Sequence, residues 1–243
     1  MNQDELNQLL REVLGNDAAL RGWVPYSGLD TLERGPYYFM GYNPREDQAN
    51  KPLLETTGNA RDWSAYTQQC WECSSPAPCQ HMNAARRLKE GTAHQDRVIE
   101  LARLLGTKPE CIFSANAIFV ESRRARELKN ADELWQKCWR VHQRFLALVR
   151  PKWIICLGNG EKFSSFQLMK RRAAEPVNVS NPCDNGRSLD YRMGKLFHAS
   201  FDTGDTSPLN DVQVLGVPHP SRFPIPDCLK QFIVKNVRLS IQP

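Results

Sequence analysis

Tyr37-Tyr38-Phe39-Met40-Gly41-Tyr42-Asn43-Pro44-Arg45-Glu46-Asp47 decides how the rest of this chain is read. Four large apolar or aromatic residues in a row match a strand buried on both faces. Gly41 then permits a close backbone approach, or a dihedral that other residues avoid. Pro44 has no N–H and a fixed φ, so regular pairing ends near it. Asn43 stands between them with an amide donor and a carbonyl acceptor on a short stem. Open α/β sheets bind ligands outside the carboxyl ends of their strands, so a polar residue held there is a site candidate. The same residues also make an ordinary strand-to-turn junction with a local Asx turn.

Working outward, residues 4–14 carry Leu6, Leu9, Leu10, Val13 and Leu14 on one helical face. Residues 22–35 read as loop, and 37–42 as the first strand. The polar stretch 45–82 holds Trp63, Tyr66 and Trp71. It is long for an irregular connection, a length that goes with function or mobility. Helices are expected over 83–89 and 95–105. Residues 111–120 (CIFSANAIFV) give a second buried strand, and 153–158 (WIICLG) a third that runs into Gly158-Asn159-Gly160. Between them Leu134, Cys138, Val141, Phe145 and Val149 recur at helical intervals over 131–149. A helix over 163–172 precedes Pro176, which cannot continue it. Residues 195–201 allow a short strand. Residues 211–217 (DVQVLGV) form the last strand, leading into Pro218-His219-Pro220-Ser221, and a helix over 227–237 follows.

Strands alternating with helices predict an α/β fold: a three-layer α/β/α arrangement around a central, mostly parallel four-stranded sheet. A single domain over 1–243 is expected, with 1–30 as an N-terminal helix and lead-in and 45–82 as an insertion-like segment. Hydrophobic residues make up 41% and charged residues 24%, ordinary values for a soluble globular protein. No apolar run is long enough to cross a membrane. The start, MNQDELNQLLREVL, reads as an amphipathic helix and not a signal peptide, so a cytoplasmic location is expected. The net charge of +5 tolerates a polyanionic partner without demanding one. The 8 cysteines are scattered and do not form a disulfide framework.

In a parallel sheet the strand ends share one edge, so Asn43, Asn116 and His219 can converge although they are remote in sequence. Asparagine is disfavoured in strands, and a buried amide needs partners. Each residue has a plainer reading as well. Asn116 can bond a neighbouring loop, and His219 can sit in a proline-flanked surface turn.

Taken in order, Gly41-Tyr42-Asn43-Pro44, Ser114-Ala115-Asn116-Ala117, the segment from Arg150-Pro151-Lys152-Trp153 to Gly158, and His219-Pro220-Ser221 resemble the uracil-DNA glycosylase superfamily. The likeness covers about residues 37–223. Asparagine in the first motif is similar to the mismatch-specific (thymine-DNA) and single-strand-selective branches. The resemblance implies a monomeric hydrolase of N-glycosyl bonds in DNA repair by base excision, acting on a base flipped out of DNA. It implies Asn43 and His219 as catalytic residues, the first holding the attacking water and the second stabilising charge on the departing base. Asn116 would read the base edge, since one carboxamide can accept from N3–H and donate to O4 of uracil. Gly41, Tyr42 and Pro44 would contact the base. Ser221, Arg222 and Phe223 would face DNA, with Ser221 on a phosphate. Phe223 would be a wedge into the vacated stack, or else packing against the last helix.

The chain also departs from the pattern. Arg45 stands where those branches carry glycine, and 56–80 is longer than the family segment. The base-stacking aromatic has Trp63 and Tyr66 as candidates. Two other functions therefore stay open: a glycosylase for a modified cytosine or thymine on foreign DNA, and a non-catalytic nucleic-acid- or nucleotide-binding α/β domain.

Arg123-Arg124-Arg126 and Lys170-Arg171-Arg172 are phosphate contacts if the chain binds DNA, and solvated faces otherwise. The chemistry requires no cofactor. Cys70, Cys73, Cys79 and His81 nevertheless offer a donor set for a structural zinc or an iron–sulfur cluster, which some members of the superfamily carry. Their spacing is not a common zinc pattern, and free thiols are the competing reading. Cys111, Cys138 and Cys156 are expected to be small buried hydrophobes. His142 is expected to be structural, and His94 and His198 carry no functional signal.

Overall fold

A computed structural model describes residues 1–46, 51–56, 61–70, 75–76, 92–183, 192–204 and 207–241. Its helices are α1 (Gln3–Leu14), α2 (Ala65–Gln68), α3 (Ala93–Leu104), α4 (Ala131–Val149), α5 (Ser165–Lys170) and α6 (Asp227–Phe232). The central sheet consists of β1 (Tyr37–Gly41), β2 (Phe113–Asn116), β3 (Trp153–Leu157), β4 (Lys195–Phe201) and β5 (Leu209–Val217), in the order β2-β1-β3-β5-β4. All neighbours are parallel except β4, which runs antiparallel to β5 at the edge. The sheet thus has five strands where four are expected. The extra strand is the 195–201 segment, whose part-exposed pattern lacks the continuous apolar run of a central strand.

The apolar run of β1 serves two cores. Tyr38 and Met40 join Ile154, Cys156, Val212 and Val214 on one face, under α1, α4 and α5. Tyr37 and Phe39 join Ile155, Leu157, Leu215 and Val217 on the other, under α3 and α6. Successive strand residues point to opposite faces, so both faces need apolar cover and three layers result. Each such large side chain contributes about 1.5–3 kcal/mol on burial.

Local chemistry sets the element ends. α1 starts in a capping box: Asn2 accepts from Glu5 N, and the Glu5 carboxylate accepts from Asn2 N. β2 is shorter than 111–120 because Pro109–Cys111 forms a 3₁₀ turn before it. After Asn116 the chain turns, and Ala117 and Ile118 give their N–H groups to Gly41 O and Tyr42 O. Cys111 is exposed in that 3₁₀ turn, contrary to expectation, while Cys138 and Cys156 are buried. α5 starts at Ser165 because Ser164 caps it through Gln167 N. After α6 the chain continues as π-helix over Ile233–Arg238, which keeps Leu229, Ile233 and Val237 buried. The described part of 45–82 is partly regular. It contains α2, and short strands pair Gln69–Cys70 with Ser75–Pro76 and Lys51–Pro52 with Arg21–Gly22. The helix expected over 83–89 lies outside the described residues. No helix among them is long and apolar enough to cross a membrane.

His142 is structural, and its proton can be assigned. Nε2 lies 3.0 Å from Ala117 O, which can only accept, so Nε2 carries the hydrogen. Nδ1 then accepts from the Tyr38 hydroxyl at 2.6 Å. This pins the Ala117 carbonyl, one residue past Asn116.

Candidate functional site

β2 lies on one side of β1 and β3 on the other, so the connections diverge at β1. The crevice outside the carboxyl ends of β1 and β3 is where such sheets bind ligands. A cavity of about 1180 Å³ opens there. Gly41 to Pro44 after β1, Asn116 at the end of β2, Gly158 to Gly160 after β3 and His219 after β5 all line it. The parallel sheet brings together residues that lie as far apart in the sequence as Asn43 and His219.

Asn116 is 8% exposed and is the register partner of Gly41. Its Oδ1 lies over Gly41, where a Cβ would come within 2.0 Å of it. Among the described residues its carboxamide has no hydrogen-bond partner, so its polar atoms are left to the cavity. Asn159, buried just after β3, differs. Its amide donates to Met193 O and Gly216 O and is a structural tether.

Asn43 has a fixed orientation. Nδ2 donates to Pro44 O at 2.9 Å, Val120 O at 3.2 Å and Ser122 Oγ at 2.9 Å. Carbonyl oxygens cannot donate, so the amide nitrogen must face them and Oδ1 is the atom left over. Asn43 therefore presents an acceptor.

His219 presents a donor. Its Nδ1 faces Ser221 N at 3.3 Å and the Ser221 hydroxyl at 2.8 Å. A backbone N–H can only donate, so Nδ1 is unprotonated and Nε2 carries the hydrogen. Burial first, and the Arg222 charge second, lower the His219 pKa from 6.5 to about 4, so the ring is neutral at pH 7. Ser221 is placed differently from a simple outward phosphate contact: its hydroxyl is engaged with the imidazole.

A pile of rings stands against His219. Tyr26 stacks on Tyr66 at 5.8 Å, and Tyr66 stacks on His94 at 6.0 Å. His94 meets His219 edge-on at 5.6 Å. Burial, then His219 and Arg97, lower the His94 pKa to about 3. Of the two aromatic candidates, Tyr66 lines the cavity, while Trp63 stacks on Trp23. Sequence reasoning passes over His94. The available signal is the Thr92-x-x-Gln95 capping box, which puts His94 in the first turn of α3.

Arg45, Arg123, Arg124, Arg126, Lys162 and Arg222 stand exposed around the cavity mouth. Phe223 is half-buried on the same wall. The second basic cluster turns elsewhere. Arg171 pairs with Asp132 at 3.1 Å. The Arg172 guanidinium lies 5.5 Å from the rings of Trp135 and Trp139 and donates to Gln136. Phe163 was expected inside a helix and instead sits on the rim at φ 51°, 50% exposed, edge-on to Tyr42. A bulky residue in the left-handed region is an outlier of the kind that collects at functional sites.

Cys73, Cys79 and His81 lie outside the described residues, and only the backbone of Cys70 is described. Among the described residues no group of three or more His, Cys, Asp or Glu side chains could hold a metal ion. No family model matches the chain, and no curated protein matches it.

Proposed function

We propose that this protein is a monofunctional DNA N-glycosylase, hydrolysing the bond between deoxyribose and uracil, or a related damaged or modified base, flipped out of DNA. The observation that carries this reading is the convergence in one cavity of an oriented acceptor on Asn43, a carboxamide on Asn116 that has no hydrogen-bond partner among the described residues, and a neutral His219 donor.

The chemistry follows from these atoms. The extruded pyrimidine enters between the strand ends, and the Asn116 carboxamide reads its edge. As the glycosidic bond breaks, negative charge collects on O2 of the base, and the His219 Nε2–H donates to it. Losing one such donor costs about 2.7–4 kcal/mol of transition-state stabilisation. Asn43 Oδ1 accepts from a water and holds it for attack on the sugar, which becomes an oxocarbenium ion. A carboxamide does not ionise usefully, so Asn43 orients this water and does not deprotonate it; the proton the water loses on attack neutralises the departing base anion. The exposed cations around the mouth suit the phosphates on either side of the flipped nucleotide.

Arg45 among the cavity-lining residues also favours a second reading, in which the excised base is a modified cytosine or thymine with a bulky substituent. Arg45, at the mouth, would then meet the substituent.

One experiment separates the alternatives. The protein is incubated with oligonucleotides carrying uracil, mispaired thymine or modified cytosines, and abasic sites are then cleaved with alkali. Cleavage at uracil supports the first reading, and cleavage only at a modified base the second. No cleavage on any of them, with binding retained, would sink the enzyme reading and leave a nucleic-acid-binding domain.

A further inference from the structure

The His219 turn is flanked by Pro218 and Pro220, which have no N–H to anchor it. Its internal bonds run from Arg222 N and Phe223 N to His219 O. The imidazole is therefore held by contacts from outside the turn as well as by Ser221.

Those contacts come from the first turn of α3. Thr92 and Gln95 close its capping box, with Gln95 Oε1 accepting from Thr92 N at 3.1 Å. The Gln95 amide nitrogen donates to Ala65 O, Tyr66 O and Gln69 O at 3.1, 3.4 and 2.8 Å, which fixes the segment carrying Tyr66. His94 lies flat on Tyr66, with an interplanar angle of 3°, and edge-on to His219, at 82°. Arg97 donates through Nη1 to Pro220 O at 2.5 Å. His94 and Arg97 are an i, i+3 pair, so one helix face reaches both the ring and the backbone of the turn.

We propose that the first turn of α3 is the positioning element of the His219 donor. The His94 ring sets the plane of the imidazole, and the Arg97 guanidinium anchors the turn. Together with Ser221 they hold the one tautomer that offers Nε2–H to the cavity. Only the catalytic consequence rests on the glycosylase reading; the clamp itself is a matter of geometry. Misplacing a catalytic group by about 1 Å can cost about 100-fold in rate.

The test uses the full chain with ¹⁵N-labelled histidine. In the unaltered protein the His219 ring should show Nδ1 as an unprotonated acceptor and Nε2 as a protonated nitrogen. Arg97→Met keeps the aliphatic stem but removes the donor, and His94→Ala removes the ring. Both should move His219 toward a mixture of tautomers. Arg97→Lys and His94→Phe should keep the original spectrum, since one still donates to Pro220 O and the other still presents a ring. Folded Arg97→Met and His94→Ala proteins with an unchanged His219 spectrum would overturn the proposal. If His94→Ala does not fold, Arg97→Met against Arg97→Lys decides. On a cleavable oligonucleotide, the disruptive variants should lose about 10–100-fold in single-turnover rate with DNA affinity unchanged. A protein that cleaves no oligonucleotide removes the glycosylase reading, while the ring spectra still decide the clamp.

Discussion

Asn116 Oδ1 occupies the space that a side chain at Gly41 would need, with only 2.0 Å to a Cβ built there. Gly41 is not among the residues with positive φ, so its role is close approach and not an unusual dihedral. Gly41→Ala must therefore push Asn116 aside. We expect a loss of about 1–3 kcal/mol in urea unfolding, as for other overpacked sites. Most of that loss should vanish in an Asn116→Ala background, a coupling of about 0.5–3 kcal/mol. Strictly additive costs would show that Oδ1 is not the atom in the way.

Asn43→Asp tests the orientation of the Asn43 amide. A carboxylate has no N–H and would face Pro44 O and Val120 O, both acceptors. Pro44 O keeps its bond from Ser122 N, but Val120 O loses the Asn43 donor and both oxygens then face a carboxylate, so the variant should lose about 1–3 kcal/mol at pH 7. An unchanged midpoint would mean that these tethers carry no weight. Aspartate is thus not a simple replacement here, although in the proposed mechanism it would place a charge near the sugar cation.

Acid should destabilise the fold early. His142 and His219 are lowered to about 4 and His94 to about 3, in each case mainly by burial. Unfolded imidazoles titrate near 6.5. Between that value and the folded ones the unfolded chain binds more protons, so stability is full above about 6.5 and falls as the pH drops toward 4. Fully buried His142 alone accounts for roughly 3 kcal/mol of this loss. Urea unfolding at pH 7 and 4.5 should show it. His142→Gln, which keeps a donor but does not titrate, should have a shallower slope. A flat profile in the unaltered protein would refute the assignment of neutral rings.

Phe163→Gly should gain stability while weakening DNA binding. Relieving a left-handed φ is worth about 1 kcal/mol, and a half-exposed ring gives up little packing. If the ring stacks on a nucleobase, affinity for a single-stranded oligonucleotide falls by about 1–3 kcal/mol. Unchanged affinity would make Phe163 a strained loop residue and nothing more.

The two basic clusters should separate cleanly. If the protein binds DNA as proposed, Arg123→Ala should weaken that binding and reduce the salt slope by about one, with stability unchanged. Arg172→Ala should lower the melting temperature through its lost contacts with Trp135 and Trp139, leaving the salt slope alone. The reverse result would mean that the wrong cluster has been assigned to the cavity mouth.

Much of the fold was legible in the sequence because its signals are local. Apolar runs without alternation, as in Tyr37-Tyr38-Phe39-Met40, announce strands covered on both faces, and 131–149 carried its buried stripe at helical spacing. β4 was less legible because an edge strand needs no continuous apolar run. Cys111 was misjudged because Pro109 starts a turn that takes it out of the strand.

The α/β class and the shared edge of Asn43, Asn116 and His219 follow from the order of residues alone, because a parallel sheet collects every strand end on one side. That His94 and Arg97 reach the His219 turn is visible only in the folded chain. The same holds for the turn of Arg172 toward two tryptophans, and for the acceptor and donor that Asn43 and His219 offer. These depend on which groups from distant segments lie within hydrogen-bonding or ring-contact distance, and side-chain packing sets those distances where sequence periodicity does not.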